Sequence, residues 1–143
     1  MSLWRKSMDS SHLPQPRVLV RVYVAPGELD DAIEFYEKVL GVDCDMYMSI
    51  PPDPADPSAG LTLAAVGSFL LLEGSPEQLA PHHAAVATLL VDDIEPHFER
   101  LIAHGAEILQ LPAERIGGAG FTVRHPDGSV VDYVHHRPSE GES

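Results

Sequence analysis

The chain has 143 residues, 44% of them apolar, the size and composition of one ordinary folded domain. Its formal net charge is −13, and such a polyanion repels phosphate backbones and anionic membrane surfaces, so neither nucleic acid nor membrane is expected as a partner. Cys44 is the only cysteine, which excludes an intramolecular disulfide and a CxxC metal knuckle.

The opening stretch MSLWRKSMDSSHLPQP lacks the apolar run of a signal peptide, and no later stretch is long enough to span a bilayer. The cytoplasm is therefore the expected compartment. Residues 1–16 are polar with two prolines and read as a flexible arm, and 138–143 read as a tail. A single domain is expected over 17–137.

Val18 to Val24 (VLVRVYV) is a β-branched run and predicts a strand. In the following PGELDDAIEFYEKVLG, Leu29, Ala32, Ile33, Tyr36 and Leu40 keep helical spacing, with Phe35 and Val39 widening the apolar stripe. Acidic residues 28–31 suit the positive end of a helix dipole, and Gly41 is placed to stop the helix in a left-handed conformation. Val42 to Ile50 reads as a second strand, and PPDPADPSAG as a loop. Leu61 to Val66 and Phe69 to Glu73 read as two strands joined tightly at Gly67-Ser68.

The second half repeats this order. Ala84 to Val91 predicts a strand. A helix follows Asp92-Asp93, with Ile94, Phe98, Leu101 and Ile102 on one face, Pro96 in its first turn and Gly105 at its end. Glu107 to Leu111 reads as a strand and AERIGGAG as a loop. Phe121 to Arg124 and Val130 to His135 read as strands joined through His125-Pro-Asp-Gly128. Each half is thus strand, helix, strand, strand, strand. The expected fold is α+β: two βαβββ modules, about 17–74 and 84–136, forming an open, cupped mixed β-sheet barrel with helices outside and a cleft inside. A ferredoxin-like sandwich has a similar element order but only two helices and four strands.

ELDDAIEFYEKVLGV, VDDIEPHFERLIAHGAEI and HPDGSVVDYV, in this order and spacing, resemble the helix, second helix and final strand of the vicinal oxygen chelate superfamily. The resemblance covers about residues 17–136. That superfamily includes glyoxalases, epimerases, extradiol dioxygenases, thiol transferases that inactivate fosfomycin, and metal-free proteins that sequester drugs such as bleomycin. The fold follows from the resemblance, and the function does not.

Metal-using members carry one ligand on each of four strands facing the cleft. The resemblance puts Asp132 and Glu73 at two of these positions, and Leu19 and Val86 at the two that need nitrogen donors. Two carboxylates without histidine make a poor site for zinc, iron, nickel or cobalt, so no metal and no other cofactor is expected. His82 shares a strand face with Val86 but should lie about 13 Å away along the strand. His125, His135 and His136 read as solvated strand-end residues, because alternation puts His135 opposite Asp132.

Arg21 shares the Leu19 face and is a candidate counter-charge for Glu73 and Asp132, an internal substitute for a metal ion. Alternation adds Tyr23, Phe69 and Thr88 to the expected ligand-binding set of Arg21, Tyr23, Phe69, Glu73, Thr88 and Asp132. No catalytic nucleophile can be assigned. The leading expectation is a metal-independent binder of a small organic molecule, with a cation favoured by the acidic surface. The alternative is an enzyme of lyase, isomerase or dioxygenase type using Glu73 and Asp132 as metal ligands or acid–base groups. Open sheet edges, and the habits of proteins that resemble this one, suggest a homodimer.

Overall fold

The computed structural model describes residues 9–55, 60–115 and 117–137. Strand β1 (Arg17–Val24) leads into helix α1 (Leu29–Leu40), followed by β2 (Met46–Ser49), β3 (Thr62–Val66) and β4 (Phe69–Glu73). A short helix α2 (Pro76–Leu79) and a 3-10 turn (Ala80–His82) link this half to the next. There follow β5 (Ala87–Leu90), α3 (Ile94–Ala103), β6 (Glu107–Arg115), β7 (Gly118–Arg124) and β8 (Val130–His136). The eight strands form one mixed sheet in the order β2-β3-β4-β1-β5-β8-β7-β6, curled as an open half-barrel. The joint between the halves is the antiparallel β1–β5 pair, and β1–β4 and β5–β8 are parallel. Among the described residues, no helix is long and apolar enough to cross a membrane.

Helices α1 and α3 each cover the outer face of their own module. Leu29, Ala32, Ile33 and Tyr36 of α1 pack with Val24, Ala64, Val66 and Leu71. Ile94, Phe98 and Leu101 of α3 pack with Phe121, Val123, Val131 and Tyr133. A third cluster, built around Leu19, Met46, Met48, Leu61, Leu70 and Leu72, lies on the concave side and spares both helices. The apolar stripes are narrower than the sequence suggests. Phe35, Val39, Leu40 and Ile102 are exposed, because a helix lying on one sheet buries only about a third of its circumference. Gly41 caps α1 at φ 70°, the conformation expected of it.

Three segments differ from the sequence reading. The expected loop AERIGGAG is mostly strand: Ala113–Arg115 end β6 and Gly118–Gly120 begin β7. The glycines are there for close approach. A Cβ at Gly118 would stand 2.0 Å from the His135 carbonyl oxygen, and one at Gly120 would stand 2.8 Å from that of Tyr133. Pro112 is tolerated because β6 is an edge strand with a register shift between Gln110 and Ala113. Strand β5 starts at Ala87, not Ala84, because residues 76–83 are helical turns. Ser75 and Gln78 form a reciprocal capping box with Pro76 at the first helical position. The expected second strand is also shorter, reduced to Met46–Ser49.

The expected flexible arm is tied down at Ser10, which is buried. Its hydroxyl donates to the Val91 carbonyl (2.7 Å) and accepts from the His136 N–H (2.8 Å). Residues 1–8 of that arm and the tail 138–143 lie outside the described residues.

Candidate functional site

The concave face holds a cavity of about 150 Å3 within a wider hollow of about 760 Å3 that includes its open mouth. Its walls are mainly Leu19, Met46, Met48, Leu61, Leu70 and Leu72. One end is polar, and strand register builds it. Leu19 on β1 is paired with Thr88 on β5, Thr88 with Asp132 on β8, Asp132 with Thr122 on β7, and Thr122 with Gln110 on β6. A single cross-strand row thus passes from apolar to polar.

Arg21, two residues along β1 from Leu19, reaches over β5 into this row. Its Nε and Nη2 donate to the Thr88 hydroxyl at 3.2 and 3.1 Å, its Nη1 donates to the His82 carbonyl at 2.8 Å, and its Nη2 forms a tight ion pair with Asp132 Oδ2. The two side chains are only 6% and 13% exposed. The other carboxylate oxygen of Asp132 accepts from the Thr122 hydroxyl and faces Arg115 Nη1 at 3.7 Å. A buried ion pair is stable only when its remaining donors and acceptors are met, and here they are met from four strands and the 3-10 turn.

Arg21, Thr88 and Asp132 of the expected set therefore come together. Tyr23 stands beside them: its hydroxyl donates to the same His82 carbonyl (2.8 Å) and its ring lies 4.2 Å from that of His83. Glu73 and Phe69 do not join them. The β1–β4 register pairs Arg21 with Leu70 and Tyr23 with Leu72, so Leu70 and Leu72 face the cleft, and Phe69, Leu71 and Glu73 face α1. Phe69 stacks at 4.8 Å on Tyr36. Glu73 Oε2 accepts from the backbone N–H groups of Gly27 (2.9 Å) and Leu29 (3.2 Å), which caps α1 in place of the Glu28 side chain.

Glu73 and Asp132 thus lie on opposite faces of the sheet and share no site. The metal chemistry of the superfamily does not fit this donor set. The four central strands present leucines, Arg21, Thr88, Val134, His135, His136 and one carboxylate to the cleft, and that carboxylate already holds a guanidinium. Among the described residues, no group of three His, Cys, Asp or Glu could hold a metal ion.

Two residues of the polar end were not foreseen, and one was misplaced. Arg115 was hidden by the reading of AERIGGAG as a loop, whereas Thr122 lay on the expected strand Phe121 to Arg124 without a signal of its partners across the sheet. His82 does line the cleft, because the turn after α2 folds back over it instead of running on as a strand. The S-P-E-Q capping signature at 75–78 was the available signal. His135 and His136, expected to be solvated, instead line the cleft, with His136 buried, and the histidines at 125 and 135 have structural partners. His125 Nε2 hydrogen-bonds the Tyr133 hydroxyl (2.9 Å), and His135 Nδ1 accepts from the Ile94 N–H (3.1 Å) at the start of α3. Burial pushes the Tyr133 hydroxyl up and the His135 imidazole down from their usual ranges. For His135, Arg137 lowers it further, against smaller opposing effects of Asp93 and Glu95.

A cupped eight-stranded sheet made of two βαβββ halves, with a cleft on its concave face, defines the class. The sequence model of the Glyoxalase/Bleomycin resistance protein/Dioxygenase superfamily matches residues 18–133, and the chain belongs to that superfamily. An uncharacterized protein from Methanosarcina mazei is similar in structure, with 37% identity over 87% of this chain and 94% of that one and a TM-score of 0.69. More distant structures share the fold alone. A methylmalonyl-CoA epimerase variant from Streptomyces coelicolor has 16% identity over 90% and 99% of the two chains (TM-score 0.51). A 4-hydroxymandelate synthase variant from the same organism has 18% identity, covering 90% of this chain and 51% of the enzyme (TM-score 0.51). No curated protein matches the chain by sequence.

Three outcomes follow from these contacts. Arg21→Ala should cost about 3 kcal/mol in urea unfolding, because it strands a buried carboxylate, whereas Arg21→Met with Asp132→Leu should recover most of that loss. Glu73→Ala should cost about 1 kcal/mol in urea unfolding, the usual loss of a helix cap. His135 has its folded-state affinity for protons reduced, so the unfolded chain takes up that proton first. Its contribution to stability should be complete above the unfolded-state value, near 6.5, and should be lost as pH falls below it. His135→Gln should flatten that part of a stability-versus-pH curve, and an unchanged curve would refute the assignment.

Proposed function

We propose that the protein binds a small organic molecule in the concave cleft without a resident metal ion, and that the Arg21–Asp132 pair occupies the place a metal takes in other members. The observation that carries this reading is an apolar cavity whose polar end is an ion pair with its hydrogen bonds met. A cavity of this size is typical of one that holds a single aromatic ring; an engineered apolar cavity near 150 Å3 accepts benzene. Met46 and Met48 in its wall give it some tolerance of shape. The enzymatic alternative that joins Glu73 to Asp132 loses support, since only Asp132 borders the cleft, and Arg21 holds it.

The test combines metal removal with filling of the cavity. Dialysis against a chelator should leave the melting temperature unchanged, because no ion is linked to the folded state. The stripped protein should still bind toluene or phenol in ligand-observed NMR, and Leu63→Trp, at a β3 residue that also lines the cavity, should abolish that binding. A chelator-induced drop in melting temperature, or failure of the stripped protein to bind any ring-sized probe, would refute the proposal.

A further inference from the structure

We infer that the cleft selects an anionic ligand, a carboxylate attached to a ring-sized apolar body, and that Arg115 is the residue that reads its charge. This inference rests on the proposed role of the cleft in binding. The acidic surface suggests a cation, but the cleft is lined differently from the surface. The chain carries 22 acidic and 9 basic residues. Among the described residues, the cleft is lined by the basic side chains Arg21, Arg115, His82, His135 and His136, and its one acidic lining residue is Asp132. Asp132 is already bonded to Arg21 and Thr122. One carboxylate between two guanidiniums leaves an excess of one positive charge at the polar end. Surface carboxylates farther away than about 8 Å are screened at physiological ionic strength, whereas groups inside the cleft are screened much less. The local excess therefore decides which charge enters.

Donor geometry assigns the role to Arg115. Arg21 spends its guanidinium on Thr88, His82 and Asp132 and is nearly sealed from solvent. Arg115 is 29% exposed, and its Nη2 donates to Gln110 Oε1 and the Thr122 hydroxyl, both at 3.2 Å. These two bonds fix the plane of the group. Its Nη1 stands 3.7 Å from Asp132, beyond hydrogen-bonding distance, so the Nε–H and both Nη1–H groups have no hydrogen-bond acceptor among the described residues. A planar guanidinium held on one side and open on the other matches the two oxygens of a carboxylate. The ligand's apolar body would then lie along the leucine and methionine wall.

The experiment compares benzoate, benzamide and benzylamine, which share one ring and differ in charge, by NMR titration of the full chain. Benzoate should bind about tenfold or more tightly than benzamide, as expected of a charge-assisted pair, and benzylamine most weakly. Arg115→Gln should remove the preference for benzoate while benzamide affinity stays within about twofold, and Arg115→Lys should keep part of it. Thermal melts of both variants check folding. Benzamide or benzylamine binding as tightly as benzoate would overturn the charge assignment and leave the binding cleft standing. A benzoate preference that survives Arg115→Gln would overturn the role of Arg115. Failure of all three probes to bind would overturn the inference together with the binding function on which it rests.

Discussion

The guanidinium of Arg21 bridges the two halves of this molecule. It starts from β1, in the first module, crosses β5, and meets Asp132 on β8, in the second. Two strand spacings are about 10 Å, a span that suits arginine and exceeds most side chains. The pair closes over the β1–β5 joint, where the modules also meet through backbone hydrogen bonds and through Leu90 packed in the Leu19 cluster. It also divides the concave face. On one side lies an apolar wall from the first module, and on the other lies a polar row from the second.

Much of the fold is legible in the sequence because its punctuation is strong. Glycine stops after both helices, a helical period between β-branched runs, and the HPDG turn each have a local physical cause, and they recur in the same order. The side of the sheet that each residue faces is legible only where alternation exists. Arg21 in VLVRVYV marks its own face, and Asp132 in VVDYV does the same. FLLLE contains no such mark. Its first four residues are apolar, as expected of a strand covered on both faces, so nothing in it distinguishes the cleft side from the helix side. Assigning Glu73 from the resemblance alone therefore put it on the wrong face. The register with β1 corrects this, and register between distant strands is a tertiary property.

The polar end was harder to read for a different reason. Glycine-rich segments usually mark loops, and at 117–120 that rule misleads, because the glycines clear space for the neighbouring backbone of β8. With that segment taken as a loop, Arg115 had no predicted neighbour across the sheet. His82 was misplaced because one helical turn, short enough to escape periodicity, redirects the chain. In each case the missing information concerned what lies across the sheet and not along the chain.

The bulged edge strand that carries Arg115 has a consequence for how such a protein can diversify. Arg21 and Asp132 are enclosed by central strands, and a change in either disturbs the scaffold. Arg115 stands at the rim, on a strand that already tolerates a proline and a register shift, and it hydrogen-bonds Gln110 and Thr122 while facing Asp132 at 3.7 Å. Substitutions there can alter the charge presented to a ligand while the clamp beneath stays intact. A lineage built on this scaffold can therefore explore new ligands one residue at a time without first losing its fold.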